Sequence, residues 1–154
     1  MAKFTATKHG DLANKIVLYW QRQTQREIKA KQWFMAALAL GCALEAMLYA
    51  YFIIWTADDS NDPAKDQEIP DRLMLDQLIQ AARQNDLFTS QKFKDKYGEH
   101  AVENVIDEIR HIRNHLHAGV SLRKEFDPAK FKKQEFKRLY DIFLVVLDNW
   151  ERIL

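Results

Sequence analysis

Hydrophobic residues recur every three or four positions along most of this chain, which is the spacing of one helix face. Asp11 can cap a first helix, whose apolar positions are Leu12, Ile16, Tyr19 and Trp20. Pro70 suits the first turn of another helix, whose apolar positions are Leu73, Leu75, Leu78, Ile79 and Ala82. Thr89 or Ser90 can cap a short helix around residues 93–97. Each amphipathic helix needs a partner to cover its apolar face.

The same spacing continues to the end of the chain. A longer helix is predicted over residues 99–118, with Gly119 placed to end it and a loop over residues 119–127. Asp127 and Pro128 supply the cap and the first turn of a last helix. The apolar stripe of that helix comprises Phe136, Tyr140, Phe143, Leu147, Trp150 and Leu154.

Residues 33–55 form a continuous apolar segment with one charged side chain, Glu45, near the middle. As a helix the segment is about 34 Å long, enough to span a bilayer. A Glu at that depth costs about 2.5–3.5 kcal/mol, however, and the amphipathic helices elsewhere need an apolar partner. We therefore predict a buried core helix, with a membrane-spanning helix as the alternative. In a core, Glu45 must be either protonated or paired with a cation.

Composition narrows the fold class further. Only four Gly and three Pro occur in 154 residues, which leaves few breakers for the many turns of a β fold. An apolar content of 47% with 29% charged residues excludes a mostly disordered chain, and a net charge of +1 predicts no nucleic-acid partner by itself. The single cysteine and the lack of an apolar stretch in the first 15 residues predict a cytoplasmic protein. We expect one all-α domain over residues 1–154, an up-and-down bundle of four to five main helices.

Four polar side chains cluster near the end of the predicted helix over residues 99–118. At about 100° per residue they fall within a sector about 100° wide; they are Arg110, Arg113, Asn114 and His117. The neighbouring face, predicted to meet the core, carries Val105, Ile109, Ile112 and Leu116. The polar group therefore borders buried surface, where pKa values can be tuned.

These residue types suit cleavage of a phosphodiester bond in RNA. A His with a pKa of about 6.5 can take the proton from a 2′-hydroxyl group. Arg donates paired hydrogen bonds to phosphate oxygens and stays charged in the transition state. Asn can orient the imidazole ring or bind the phosphate. The same residue types are also common on solvent-exposed helix faces that have no catalytic role. Spacing alone does not separate a catalytic site from such a face.

The string RNHLHAG, residues 113–119, together with Arg110, resembles the motif of the HEPN superfamily (higher eukaryotes and prokaryotes nucleotide-binding domain). In that motif an Arg, often followed by a polar residue, precedes a His by four to six intervening residues. The string is most similar to bacterial members that carry R-N-x-hydrophobic-H-P-G. Upstream, ALALGCALEAMLYAYF is similar to their apolar second helix with its Leu-Glu-Ala element, and LDQLIQAARQNDLF to the helix before the motif. The resemblance covers about residues 30–150, loosely outside the motif.

The match departs from the family pattern at two places. Three residues separate Arg113 from His117, one fewer than the pattern, whereas Arg110 meets the pattern with both His115 and His117. Ala118 replaces the usual Pro. The resemblance leaves open which Arg contacts the scissile phosphate. The site residues that it implies are His117, Arg113, Arg110 and Asn114, with support from Glu45 and His115.

The resemblance implies a HEPN-like bundle that forms a homodimer in which the two motifs face each other. It implies a metal-independent endoribonuclease of the toxin or defence class, with no cofactor and no membrane association. RNA is then the expected ligand, and a cognate antitoxin or nucleotidyltransferase-type protein a candidate partner. The alternative is a non-catalytic module of the same fold that binds RNA, a nucleotide or a protein. In either case Glu45 is expected to face Arg110 or Arg113.

Other residues allow competing interpretations. Glu108, His111 and His115 share a second helix face and could bind Zn²⁺, but no further ligand is apparent nearby, so we expect an exposed or interfacial surface and no metal. The basic segments 1–32 and 123–138 are either solvated faces or contacts to an RNA chain. The aromatic residues of the second segment, Phe131 and Phe136, are expected to pack in the core.

Overall fold

The computed structural model describes residues 3–55, 62, 68–84, 95, 98 and 101–151. Helices dominate this part of the chain, which confirms the all-α class. They are α1 (Ala6–Lys29), α2 (Trp33–Trp55), α3 (Leu75–Gln84), α4 (Ala101–Asn114), α5 (Ala118–Arg123) and α6 (Lys133–Glu151), with a 3₁₀ turn over Pro128–Lys130. Two short strands, β1 (Lys3–Phe4) and β2 (Ile69–Pro70), pair in antiparallel orientation.

The centre of the fold is α2, against which α1, α3, α4 and α6 all pack. Its residues Leu40, Leu44 and Leu48 are completely buried. A helix surrounded in this way must be apolar on nearly every side, which explains its sequence. Among the described residues, α2 is the one helix long and apolar enough to cross a membrane, and 72% of its apolar stretch is buried inside the protein. The core-helix prediction for residues 33–55 agrees with this packing.

This packing leads to a prediction about solubility. Because the apolar surface of α2 is already covered by protein, we expect the chain to purify from the soluble fraction without detergent. The measurement is the distribution of the protein between supernatant and membranes after lysis. Retention in the membrane fraction at high salt and at alkaline pH would show instead that α2 spans the bilayer.

The remaining helices contribute one apolar face each to the core. The buried residues are Leu75, Leu78, Ile79 and Ala82 of α3, Ile106 and Ile109 of α4, and Phe136, Leu139 and Phe143 of α6. Tyr140 and Leu147 pack against this core, as the predicted stripe of the last helix requires, whereas the side chain of Trp150 and residue Leu154 lie outside the described part. Phe131 packs edge-on against Phe34, so the two phenylalanines of the basic segment belong to the core.

Three helix starts differ from the predictions. Asp127 and Pro128 begin the 3₁₀ turn and not the last helix, which starts at Lys133. The first helix begins at Ala6, not after Asp11, because the Nδ1 atom of His9 accepts a hydrogen bond from the Thr5 backbone N–H at 3.0 Å and so stabilises an earlier first turn. Pro70 lies in β2 and does not begin a helix. The following helix starts at Leu75, where the Gln77 side chain accepts a hydrogen bond from the Met74 backbone N–H at 2.8 Å. The short helix predicted around residues 93–97, with its caps Thr89 and Ser90, lies outside the described residues.

Candidate functional site

The helix that carries the motif is shorter than predicted. The prediction of one helix through Ala118 is wrong, because α4 ends at Asn114. The backbone N–H groups of residues 115–117 each donate to a carbonyl three residues earlier, at 3.0–3.1 Å, which tightens the chain into a turn. His117 is then the N-cap of α5, and Gly119 lies inside α5 and not at a helix end. The prediction of a loop over residues 119–127 is therefore wrong for residues 119–123, which are helical. His117 therefore does not share a helix face with the two arginines, although it remains close in sequence to the end of α4.

The same turn changes which residues reach the core. Ile109 is buried and Ile112 packs against the core, as predicted. Leu116, also predicted to face the core, is 57% exposed because it lies in the turn beyond the helix. The side chain of Val105 is outside the described part. The α4–α5 turn, residues 115–117, thus presents both polar and apolar side chains at the surface.

Arg113 forms an ion pair with Glu45 of the central helix. The distance between Arg113 Nη2 and Glu45 Oε2 is 2.5 Å, and the Glu45 side chain is 22% exposed. This contact confirms the prediction that the charge in the apolar helix is matched by an Arg of the motif. It depends on a close approach of α2 and α4 at Gly41, where an added Cβ would lie 3.2 Å from Arg113 Cβ. Gly41 was not singled out by the sequence, and its signal is a lone glycine one turn before Glu45.

Two ionisable groups of α2 lie next to Arg113, and burial disfavours the charged form of both. Burial raises the pKa of Glu45 by more than the nearby Arg113 guanidinium lowers it. Burial also raises the pKa of the Cys42 thiol, opposed by a hydrogen bond to Arg113. The guanidinium thus contacts two groups of α2 one turn apart. Arg113 is consequently engaged with the core helix, while its side chain remains 31% exposed.

The raised pKa of Glu45 predicts a pH dependence. The folded protein binds this proton more tightly than the unfolded chain does, so the contribution of Glu45 to stability is complete below about pH 4.5 and is lost as pH rises through the folded-state pKa. Gln at position 45 cannot ionise. The stability of Glu45→Gln relative to the natural protein should therefore increase between about pH 4 and pH 7, by about 1.4 kcal/mol per unit of pKa difference. Urea unfolding at several pH values measures this, and a relative stability that decreases over the range would contradict it.

Arg110 is held less tightly than Arg113. Its Nε atom lies 3.5 Å from Asp107 Oδ1, and the side chain is 28% exposed. Asp107 also lies 3.5 Å from Arg83 of α3, so one carboxylate is shared between two guanidinium groups. The buried Nε of Arg110 makes no hydrogen bond of good geometry. The buried Nε of Arg113 likewise makes no hydrogen bond, so the two arginines differ in their carboxylate contacts, which are 3.5 Å long for Arg110 and 2.5 Å long for Arg113.

His115 is fixed in place by neighbours that the sequence did not indicate. Its ring stacks on Phe126 with 4.0 Å between ring centroids, and its Nδ1 atom lies 3.1 Å from Ser121 Oγ. Ser121 Oγ also donates to the His115 carbonyl oxygen at 3.2 Å, so the ring N–H donates to the serine and Nε2 carries the free lone pair. Burial lowers the pKa of His115, with smaller effects from His111 and Lys124, which favours the neutral ring.

The remaining motif residues lie at the surface. His117 is exposed, and its side chain makes no capping hydrogen bond to α5. Asn114 is half-buried at the last position of α4, and His111 is exposed one turn earlier. The structure therefore brings Arg110, Asn114, His115 and His117 to one end of α4, and places Arg113 beside them but against α2.

The second helix face does not assemble a metal site. Glu108 forms two hydrogen bonds with Arg138 of α6, and His115 contacts Ser121. In the part of the chain that the structure describes, no group of three His, Cys, Asp or Glu side chains is arranged to hold a metal ion.

An apolar surface lies along α1 and α2 beside the Glu45–Arg113 pair. Three α1 residues predicted to be buried are instead 42–54% exposed, because α1 packs on α2 through Ala13, Val17 and Thr24; the three are Leu12, Ile16 and Tyr19. Together with Met35 and Leu116 they form the exposed apolar face. Two cavities of about 330 and 210 Å³ follow one another along it, the first lined by Glu45 and the second by Cys42 and Leu116.

Protein-family models, curated proteins and solved structures give no match to this chain.

The side chains in and beside the α4–α5 turn are of types that can bind an anion and accept a proton. A guanidinium can bind a phosphate group, and a neutral imidazole can accept a proton. Neither step requires a metal ligand. The exposed apolar face next to these groups is a surface of the kind that marks a protein–protein contact.

Proposed function

We propose that the protein is a HEPN-like, metal-independent endoribonuclease that acts as a homodimer. The observation that carries the proposal is the placement of Arg110, His115 and His117 at one end of α4, beside an unpartnered apolar face. A cationic group that binds phosphate and an imidazole that transfers protons can together promote cleavage of RNA by its own 2′-hydroxyl group. In this proposal the product carries a 2′,3′-cyclic phosphate.

The two arginines have different roles in the proposed site. Arg110 binds the scissile phosphate, because its only described carboxylate partner lies at 3.5 Å and is shared with Arg83. Arg113 is a positioning residue that ties α4 to Glu45 of α2 and so fixes the end of the helix. Asn114, at the last position of α4, can donate its amide to a phosphate oxygen or to the imidazole of His117.

The imidazoles supply the proton transfers. His117, exposed in the turn, takes the proton of the 2′-hydroxyl group while the oxygen attacks phosphorus and the bond to the 5′-oxygen breaks. A protonated His117 of a second subunit gives its proton to the departing 5′-oxygen, which accounts for a site shared between two chains. His115, stacked on Phe126 and bonded to Ser121, holds the turn in the conformation that presents His117.

The exposed apolar face supports the homodimer. Leu12, Ile16 and Tyr19 are three to four residues apart on α1, so they form a continuous stripe that a second copy of the chain can cover. Leu116 extends the stripe into the α4–α5 turn itself. Pairing two copies through this face would bring the two turns towards each other.

One observation favours the non-catalytic alternative, a module that binds RNA, a nucleotide or a partner such as an antitoxin or a nucleotidyltransferase-type protein. The Arg of the R-N string, Arg113, is already paired with Glu45. An arginine engaged in this way stabilises the fold and contributes little to a transition state. The alternative keeps the same surface but requires no cleavage.

The proposal predicts RNA cleavage in excess chelator. Purified dimer incubated with single-stranded RNA in EDTA should yield fragments that end in 2′,3′-cyclic phosphate, because no metal enters the mechanism. Ile16→Asp places a charge on the exposed apolar face, and we expect it to lower both dimer formation and cleavage without lowering the melting temperature of the monomer. Intact RNA across several substrates, or cleavage by an Ile16→Asp monomer at the natural rate, would favour the binding module.

A further inference from the structure

A groove lies between α1 and α6, about 120° around α1 from the exposed apolar face. Its volume is about 670 Å³, inside the range of about 300–1,000 Å³ that small-molecule sites occupy. Apolar side chains of both helices line it, among them Tyr140, Phe143 and Leu147. Leu18 and Leu144 are 50% and 42% exposed there, so the apolar lining is open to solvent.

The charge of this groove is one-sided. Arg22, Arg26 and Lys29 lie at intervals of four and three residues on α1 and therefore point to the same side of the helix. No carboxylate is among the described residues that line the groove, and none of the three cations forms an ion pair within the part of the chain that the structure describes. An apolar lining with a row of unpaired cations along one wall complements a ligand that has an apolar body and an anionic end.

One hydrogen bond connects the two walls of the groove. The Gln25 side-chain amide donates a hydrogen bond to the Tyr140 hydroxyl oxygen, and this bond joins the two walls. A helix of about 10–12 Å diameter would have to break this bond to lie along the groove, whereas a single alkyl chain can lie beside it. We propose that the groove binds a free single-chain amphipathic carboxylate, with its alkyl chain against Leu18 and Leu144 and its head group on the row of cations. This site is separate from the α4–α5 turn and does not depend on the proposed cleavage of RNA.

The test uses the full chain and dansyl-labelled undecanoic acid, whose fluorescence increases in an apolar environment. We expect saturable binding that laurate reverses below its micelle-forming concentration. Dodecyltrimethylammonium, with the same apolar chain and a cationic head, should not reverse it. Failure of the folded protein to bind the probe, or equal displacement by the cationic amphiphile, would overturn the proposal.

Variants locate the site. Arg22→Gln/Arg26→Gln should weaken laurate binding about fivefold, and Leu144→Asp, which puts an acid on the apolar lining, about tenfold. The control Lys8→Gln/Lys15→Gln removes the same charge from exposed positions of α1 outside the groove and should bind as the natural protein does. Each variant is compared at an unchanged melting temperature. An equal loss in the control, or binding to anionic vesicles without binding of monomeric laurate, would show a general attraction to anionic surfaces and contradict the proposal.

Discussion

Glu45→Lys is expected to lower the free energy of unfolding by about 3–5 kcal/mol, the cost of breaking a buried ion pair from one side. The carboxylate of Glu45, in the central helix α2, lies 2.5 Å from the guanidinium of Arg113 in α4. A lysine at position 45 would therefore put a second positive charge next to that guanidinium. Two like charges in a largely buried position repel each other and also lose their hydration. Urea unfolding followed by circular dichroism measures the change.

Asp141→Lys is the matched control, because it reverses an acidic charge at an exposed position within α6. Surface changes of this kind stay within about 0.5 kcal/mol. The double variant Glu45→Lys/Arg113→Glu restores opposite charges and should recover part of the loss. Equal unfolding midpoints for Glu45→Lys and Asp141→Lys would mean that the Glu45–Arg113 pair contributes nothing to the fold.

The position of Glu45 illustrates what the sequence could predict. A single carboxylate in an apolar helix of 23 residues is too costly to bury alone, so its pairing with a cation from another helix follows from electrostatics. The helical core around α2 follows for a similar reason, since several amphipathic faces require one apolar partner. The free-energy cost of leaving a buried charge unpaired or several apolar faces uncovered is large, so few other arrangements are possible. The structure agrees with both predictions.

The end of α4 shows what the sequence could not predict. A chain that continues as a helix beyond Asn114 and a chain that turns there differ in free energy by only a few hydrogen bonds. One of these is the bond from Ser121 Oγ to the His115 carbonyl oxygen. That bond and the stacking of His115 on Phe126 form only after the chain has turned, so the helical spacing of the sequence could not predict them. The placement of His117 by extrapolating the helix failed for this reason.

Helical spacing also identifies an apolar face without indicating what covers it. Leu12, Ile16 and Tyr19 are spaced as a buried stripe, yet α1 contacts α2 through the neighbouring positions Ala13 and Val17. The small Ala13 permits close packing of the two helices, and the bulkier stripe is left at the surface. A second copy of the chain, which no single sequence reveals, is the occupant that the proposed function assigns to it.

The second large effect concerns the proposed site. Arg110→Ala should reduce RNA cleavage about 10²–10³-fold, as expected for loss of a group that stabilises developing charge, and His117→Ala about 10²–10⁴-fold, as expected for loss of a general base. Neither should change the melting temperature by much, because His117 is exposed and Arg110 has a weakly held carboxylate partner at 3.5 Å. Initial rates on a single-stranded RNA in excess chelator provide the measurement.

The other motif residues serve as controls with different readouts. Arg113→Ala should lower stability by several kcal/mol because it leaves Glu45 buried without a partner, so its loss of activity follows its loss of folded protein. His115→Ala should lower the melting temperature through the lost contacts with Phe126 and Ser121, while His111→Ala should change neither quantity. If Arg113 binds the phosphate directly, Arg113→Met in a Glu45→Gln background will fold well and still lose activity as Arg110→Ala does, and the assignment of Arg110 would then be wrong. If His117→Ala cleaves at the natural rate and His115→Ala does not, the general base is His115, with Nε2 as the accepting atom.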